Sequence, residues 1–283
     1  MKVIVAQSCG FCPGVRNAIT MAEKTLAKEK NVHSLGEIIH NKDVVRKLSA
    51  AGLERIEKIE KIKSGTVIIR SHGATAEQIK QIRKKGLKIV DATCVLVKRV
   101  QKIAKLLYDQ GYKVVMIGDK GHPEVQAVIG SAPDIAVVGE IKDVSNLSKH
   151  KKLGIICQTT QSPEHFAEMI AAIAKTNFSE LKVINTLCRE AIKRQSYAVQ
   201  LCKKVDIMFI LGGLHSANTR KLAELCKKYN KKTFHLQNYK ELDKRILSGN
   251  NVAGITAGAS TPQWIIDDFV ENLRRFDARK KIK

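Results

Sequence analysis

The chain has 283 residues, 44% of them hydrophobic, enough for a sizeable core in two or three small domains. No apolar run approaches the ~20 residues of a bilayer span, and the N-terminus enters a strand pattern without a secretory h-region, so a cytoplasmic protein is expected. Lys and Arg outnumber Asp and Glu by 50 to 27, a formal charge of +23 that draws phosphorylated small molecules, acidic redox partners or nucleic acid; aromatics, at 5%, are too few for a base-stacking platform.

In chain order, residues 2–6 read as a buried strand, and residues 15–30 as a helix with Val15, Ile19, Ala22 and Leu26 at helical spacing. Residues 32–35 form a short strand ended by Gly36, and Val44, Val45 and Leu48 mark a short helix before Gly52. Residues 66–70 are a strong strand signal that turns through Ser71-His72-Gly73 into a helix with Ile79 and Ile82 on one face. From Cys94 a helix runs to about Gln110 with Val97, Val100, Ala104 and Leu107 inward. Residues 113–117 are a strand, followed by a helix opened by Pro123, whose missing N–H costs nothing at a first helical position. Residues 135–138 and 153–157 read as strands, and Ser162-Pro163-Glu164 as a capped helix start. A helix over residues 189–203 precedes a strand over 207–211, then Gly212-Gly213 and Ser216-Ala217-Asn218-Thr219 open a helix ending near Lys228. Residues 233–236 and 252–255 are strand-like. Gly258-Ala259-Ser260-Thr261-Pro262 introduces the last helix, with Trp264, Ile265, Phe269 and Leu273 inward and a basic tail expected to fray after Phe276. Strands alternating with helices predict an α/β fold with mostly parallel sheets.

Seven cysteines, an odd number without a secretory signal, argue for reduced thiols or metal ligands over a disulfide framework. Three of them, Cys12, Cys94 and Cys188, recur at intervals of about 80 to 95 residues, each between a strand-like and a helix-like run. The repeat predicts three similar units, over residues 13–93, 94–187 and 188–283, with the strand of residues 1–12 packing centrally. Three thiolates brought together from strand ends would cradle an iron–sulfur cluster with one uncommitted iron. Cys9 forms a C-x-x-C with Cys12 and reads as an accessory thiol; Cys157, Cys202 and Cys226 lie on apolar runs and read as buried and inert.

Four segments share a second design, in which a strand ends in a Gly-bearing turn and a helix starts at once. They carry His72, His122, Ser216 with Asn218, and Ser260, while His40 follows Ile38-Ile39. Ligands of parallel sheets bind at the carboxyl ends of strands, and helix N-termini suit phosphate, so these tips look like a diphosphate site. Glu124, after His122-Pro123, is either a carboxylate that complements a helix dipole or a proton donor whose pKa desolvation would raise. Thr159, just past the strand ending at Cys157, is either a turn-capping hydroxyl or a donor to substrate.

These residues resemble the 4-hydroxy-3-methylbut-2-enyl diphosphate reductase family of the non-mevalonate isoprenoid pathway. The resemblance runs from Gly10-Phe11-Cys12-Pro13-Gly14-Val15 to Thr256-Ala257-Gly258-Ala259-Ser260. Between them stand Gly36-Glu37-Ile38-Ile39-His40-Asn41, Ile69-Arg70-Ser71-His72-Gly73, Asp91-Ala92-Thr93-Cys94, Gly121-His122-Pro123-Glu124-Val125 and Gln158-Thr159-Thr160. It implies a trefoil of three α/β domains around a central [4Fe–4S] cluster held by Cys12, Cys94 and Cys188. It further implies diphosphate binding by His40, His72, His122, Ser216, Asn218 and Ser260, proton delivery by Glu124, and a hydroxyl contact from Thr159. The implied activity is reductive removal of the substrate's allylic hydroxyl to give isopentenyl and dimethylallyl diphosphate, with electrons from a ferredoxin- or flavodoxin-type donor. The chain departs from the family pattern at Arg189-Glu190-Ala191, at Val95 where proline is usual, and at Ala217. Those departures keep open a divergent relative that uses the same cluster and anion pocket on another phosphorylated substrate.

Overall fold

Runs of three to six residues rich in β-branched and aliphatic side chains, too short for helices, fold as parallel strands, and the amphipathic runs between them fold as crossover helices. The computed structural model describes residues 1–147 and 149–280, with side chains through Phe276. The elements are β1 (Lys2–Val5), α1 (Pro13–Leu26), β2 (Val32–Leu35), α2 (Lys42–Ala50), β3 (Leu53–Ile56), β4 (Thr66–Ile69), α3 (Ala76–Lys84), β5 (Lys88–Asp91) and α4 (Val95–Asp109). They continue with β6 (Lys113–Ile117), α5 (Pro123–Ile129), β7 (Ala136–Val138), β8 (Lys152–Cys157), α6 (Pro163–Ile173), β9 (Glu180–Val183) and α7 (Arg189–Cys202). The last are β10 (Ile207–Leu211), α8 (Ala217–Tyr229), β11 (Thr233–Leu236), β12 (Val252–Ala257) and α9 (Gln263–Lys280).

The strands form three four-stranded sheets, ordered β3-β2-β4-β5, β7-β6-β8-β9 and β11-β10-β12-β1, and every pairing is parallel. The α/β class with parallel sheets expected from the sequence is therefore the observed one. In each of the first two sheets the strands follow one winding: the first strand lies second, the third beside it, and the fourth at the edge. The third sheet repeats that order, but β12 is followed by α9 rather than by another strand, and β1 takes the fourth place beside β12. β1 thus lies at the edge of the third sheet. The three edge strands β1, β5 and β9 share one burial pattern, exposed at both ends and half-buried between. Each edge strand leads to one of the three spaced cysteines and then to a helix.

The chain divides into two compact units. One comprises Met1–Val15, Ile39–Val45 and Arg189–Lys283 and holds the third sheet; the other comprises Arg16–Ile38 and Arg46–Cys188 and holds the first two. In the second sheet, alternate residues face opposite layers, as the period of two requires. Val115, Ile117, Ile155 and Cys157 pack on Phe166, Met169 and Ile173 of α6. Val114, Met116 and Ile156 pack on Val100, Ala104 and Leu107 of α4 and on Val125 and Val128 of α5. In the third sheet, Ile207, Phe209 and Leu211 face Ile266, Phe269 and Leu273 of α9, while Met208 and Ile210 face Ala198 of α7 and Leu222 of α8. Burial of both faces explains the near-continuous apolar strands.

Some expectations change in detail. β3 was not anticipated; its four residues, Leu-Glu-Arg-Ile, are buried only at the ends and carry no alternating signal. α1 stops at Leu26, short of Lys30. Trp264, expected inward, is 47% exposed and meets the edge of Phe11 at 6.4 Å, while Ile265 and Ile266 beside it take the inward positions. The helix α9 continues to Lys280, and the remainder of the basic tail expected to fray lies outside the described residues. Among the described residues no helix is long and apolar enough to cross a membrane.

Candidate active site

The three spaced cysteines occupy equivalent places. Cys12 immediately precedes α1, Cys94 is the N-cap of α4, and Cys188 immediately precedes α7. Each has its amide tied to a neighbouring strand-end loop: Cys12 N–H donates to Ala259 O at 3.1 Å, Cys94 to Ser71 O at 3.0 Å, and Cys188 to Thr159 O at 2.8 Å. All three are half-buried and in no disulfide, whereas Cys157, Cys202 and Cys226, likewise outside disulfides, are buried. The first turn of a helix leaves N–H groups unpaired, and one of them, Val15 N–H, points at Cys12 Sγ at 3.4 Å. Reduced, accessible sulfurs at helix N-termini suit an iron–sulfur group, so the donor set fits what the resemblance implies. Cys9 is different: its side chain packs on the core of the third sheet, and burial pushes its thiol up to about 11 against the lowering effect of Arg194. With no metal bound it stays a neutral thiol. The buried thiols of Cys202 and Cys226 hydrogen-bond to each other, and that bond, with burial, raises Cys226.

The larger unit joins four of the candidate side chains into one network. Glu124 stands in the first turn of α5, only 2% exposed. Its Oε1 accepts from Thr159 N–H at 2.7 Å, and its Oε2 is 2.8 Å from Thr159 Oγ1, which donates to it. Two bonds from a residue 35 positions away answer the desolvation cost of a buried carboxyl. The N–H of Glu124 donates to Nδ1 of His122 at 3.2 Å, so His122 caps the helix it precedes. In the neutral ring that bond leaves the proton on Nε2. The imidazoles of His122 and His72 meet edge to face, with centroids 5.5 Å apart. His72 follows Ser71, whose carbonyl holds Cys94, and Thr159 holds Cys188. Turn geometry keeps the loops in place: Gln158 Oε1 accepts from Asp119 N–H at 2.9 Å, and Ser71 Oγ donates to Ile38 O at 3.2 Å. Gln158 and Asp119 were missed as loop-shaping residues because the partners lie 39 residues apart.

The smaller unit gathers the other candidates. Ser260, 7% exposed, donates from Oγ to the main-chain oxygen of His40 at 3.1 Å. Ser216 caps α8 by accepting from Thr219 N–H at 3.4 Å. The Nδ2 of Asn218, in the first turn of α8, is buried and has no hydrogen-bond partner among the described residues. A donor of that kind at a helix N-terminus is chemically suited to an anionic oxygen. The loop over residues 258–260 lies so close to α8 that a Cβ at Gly258 would collide with Thr219 Oγ1. The same closeness separates Gly213 from His40: a Cβ there would stand 2.9 Å from its carbonyl oxygen. The departures from the family pattern also have places. Val95 opens α4 at the surface, Ala191 is buried in the first turn of α7, and Glu190 there pairs with Lys193 at 3.8 Å.

A family profile described as LytB protein matches residues 3–274. A relative from Geobacter sulfurreducens, named 4-hydroxy-3-methylbut-2-enyl diphosphate reductase, is 40% identical over 282 residues, which is 99% of this chain and 100% of the relative. One of the same name from Syntrophotalea carbinolica is 42% identical over 275 residues, 96% of this chain and 98% of that one. A solved structure of (E)-4-hydroxy-3-methyl-but-2-enyl diphosphate reductase, the terminal enzyme of the non-mevalonate pathway, is 40% identical with a TM-score of 0.73 over 97% of this chain and 100% of its own. The Plasmodium falciparum structure of E-1-hydroxy-2-methyl-but-2-enyl-4-diphosphate reductase is 28% identical with a TM-score of 0.90 over 96% of this chain and 87% of its own. With nearly the whole length matched, and with the reduced cysteines and loop residues in the places described, the chain belongs to the LytB protein family, the iron–sulfur 4-hydroxy-3-methylbut-2-enyl diphosphate reductases.

Proposed function

We propose that this chain removes the allylic hydroxyl of 4-hydroxy-3-methylbut-2-enyl diphosphate and yields isopentenyl and dimethylallyl diphosphate. The observation that carries the reading is the buried Glu124–Thr159 pair, a carboxyl bonded through both oxygens to one residue. Cys12, Cys94 and Cys188 would hold a [4Fe–4S] cluster, which would supply single electrons and Lewis acidity. The net reaction takes up two electrons and two protons; one proton leaves with the hydroxyl as water and the other ends on carbon.

The protein's own part is to hold the diphosphate and to move the protons. His40, His72, His122, Ser216, Asn218 and Ser260 bind the diphosphate, and the N-terminus of α8 adds its free N–H groups. The orphaned Asn218 Nδ2 and the Nε2 proton of His122 support those roles. Glu124 holds a proton at Oε2. A threonine hydroxyl both donates and accepts, so Thr159 Oγ1 serves the carboxylate and the carboxylic acid alike and passes the proton toward the departing hydroxyl. The chain's charge of +23 favours an acidic one-electron carrier of ferredoxin or flavodoxin type.

The test is an anaerobic preparation with iron and sulfide counted and turnover assayed on this substrate and on related allylic and saturated phosphates. Four irons per chain and turnover on the allylic diphosphate are expected. Four irons with turnover only on another phosphate would reassign the substrate, and no iron uptake would remove the cluster and the reaction together.

A further inference from the structure

The helix α7 carries a guanidinium on its inner face. Arg194 is 3% exposed, and both terminal nitrogens donate to main-chain carbonyls at 2.8 Å, Nη1 to Ala257 and Nη2 to Gly10. Gly10 stands two residues before Cys12. Ala257 ends β12, two residues before Ala259, whose carbonyl accepts the Cys12 amide at 3.1 Å. These five groups close a ring: guanidinium, Gly10, the turn to Cys12, Ala259, and back through Ala257 to the guanidinium. The turn is also tightly drawn. Gly10 takes φ of +83°, a left-handed conformation, and a Cβ there would stand 3.2 Å from Ile266 Cδ1 of α9. The loop on the other side of the ring continues to Ser260, which holds His40.

A planar fork of fixed geometry is suited to holding two carbonyls at once, and a lysine ammonium on a flexible stem is not. We propose that Arg194 is a positioning residue: it fixes the Cys12 loop against the loop over residues 258–260 and thereby sets where the Cys12 sulfur stands for the iron–sulfur group. The last clause rests on Cys12 as a ligand of that group; the hold on the loop does not.

The two are separated by reading the metal-free full-length chain first. Alkylation of Cys12, Cys94 and Cys188 by iodoacetamide is followed by mass spectrometry in the parent chain, Arg194→Lys and Arg194→Gln, with melting by circular dichroism. Arg194→Gln is expected to raise the Cys12 rate relative to Cys94 and Cys188 by about tenfold, the worth of one charge-assisted hydrogen bond, with Arg194→Lys in between. In the reconstituted protein, iron release to a chelator is expected to quicken in the same order. An unchanged Cys12 ratio in both variants overturns the proposal. So does an equal rise at all three cysteines with a lowered melting temperature, which would mean that Arg194 serves only the core. If Arg194→Gln does not fold, the Cys12 ratio in Arg194→Lys decides. A selective rise at Cys12 in the variants, with a parent chain that takes up no iron, would keep the loop assignment and remove Cys12 from metal binding, overturning the clause about the iron–sulfur group.

Discussion

Glu124 and Ser260 are both nearly buried, at 2% and 7% exposure, yet their polar atoms are answered in different ways. Glu124 is answered by side chains and by the amide of a distant loop. Thr159 meets both of its oxygens, and its own N–H reaches His122, whose ring lies against His72. Ser260 is answered by main chain, donating to the oxygen of His40, and the same unit holds a capping Ser216 and an Asn218 with a spare Nδ2. A relay of side chains whose members donate and accept can hand a proton along without moving. A cradle of loops and one helix N-terminus, with a donor left over, can hold an anion without consuming its own bonds. Under the proposed function the first plan suits proton transfer and the second suits anion holding.

The largest expected effect cuts across both plans. Cys94→Ser should abolish turnover and remove the iron–sulfur absorption, because serine oxygen is a poor substitute for a soft thiolate. Full cluster content in that variant would remove Cys94 as a ligand. Glu124→Gln comes next and addresses the relay alone. Glutamine keeps the shape and can still accept from Thr159 N–H, so melting and cluster content should hold while kcat falls about 10²- to 10⁴-fold. A KM rise with kcat intact would move Glu124 from the relay to the anion set. Asn218→Ala probes the cradle and should show the opposite split. Losing one hydrogen bond to a charged ligand costs about 1.5–3 kcal/mol, a rise in KM of roughly ten- to a hundredfold with little change in kcat. A fall in kcat alone would break the contrast between the two plans.

The chain order of strands and helices was legible because the periods of two and 3.6 are local. Residues 32–35, 207–211 and 233–236 were placed to the residue, and Val97, Val100, Ala104 and Leu107 are buried as their spacing required. What was not legible depends on partners far away in the chain. β1 pairs with β12 some 250 positions on, a register that no local pattern carries. Trp264 sits at an apolar helix position but faces Phe11, so its exposure depends on the Cys12 loop. Arg194 looks like any helix charge until Gly10 and Ala257 are brought to it across 184 and 63 positions. Among the candidate site residues, the loop positions could be read from strand-turn-helix punctuation. The pairing of Glu124 with Thr159 could not, because it spans two such turns.

The smallest effect concerns how separately the two units hold together. Asp206, exposed just before β10, accepts from Val252 N–H at 2.9 Å and Asn251 N–H at 2.8 Å, and these bonds, the one from Val252 foremost, lower its pKa. A carboxyl lowered in the folded state stabilises it above the unfolded pKa, and that contribution is lost as pH falls through the folded value. Asp206→Asn should therefore weaken the protein slightly at neutral pH and match the parent chain in strong acid. Hydrogen exchange gives the effect an address. Because the carboxylate ties the entry of β12 to β10 in the third sheet, protection should fall there at pH 7 and stay unchanged in the first two sheets. An equal loss of protection in all three sheets would mean that the units open as one, and the division of labour drawn above would then rest on chemistry alone and not on separable folding.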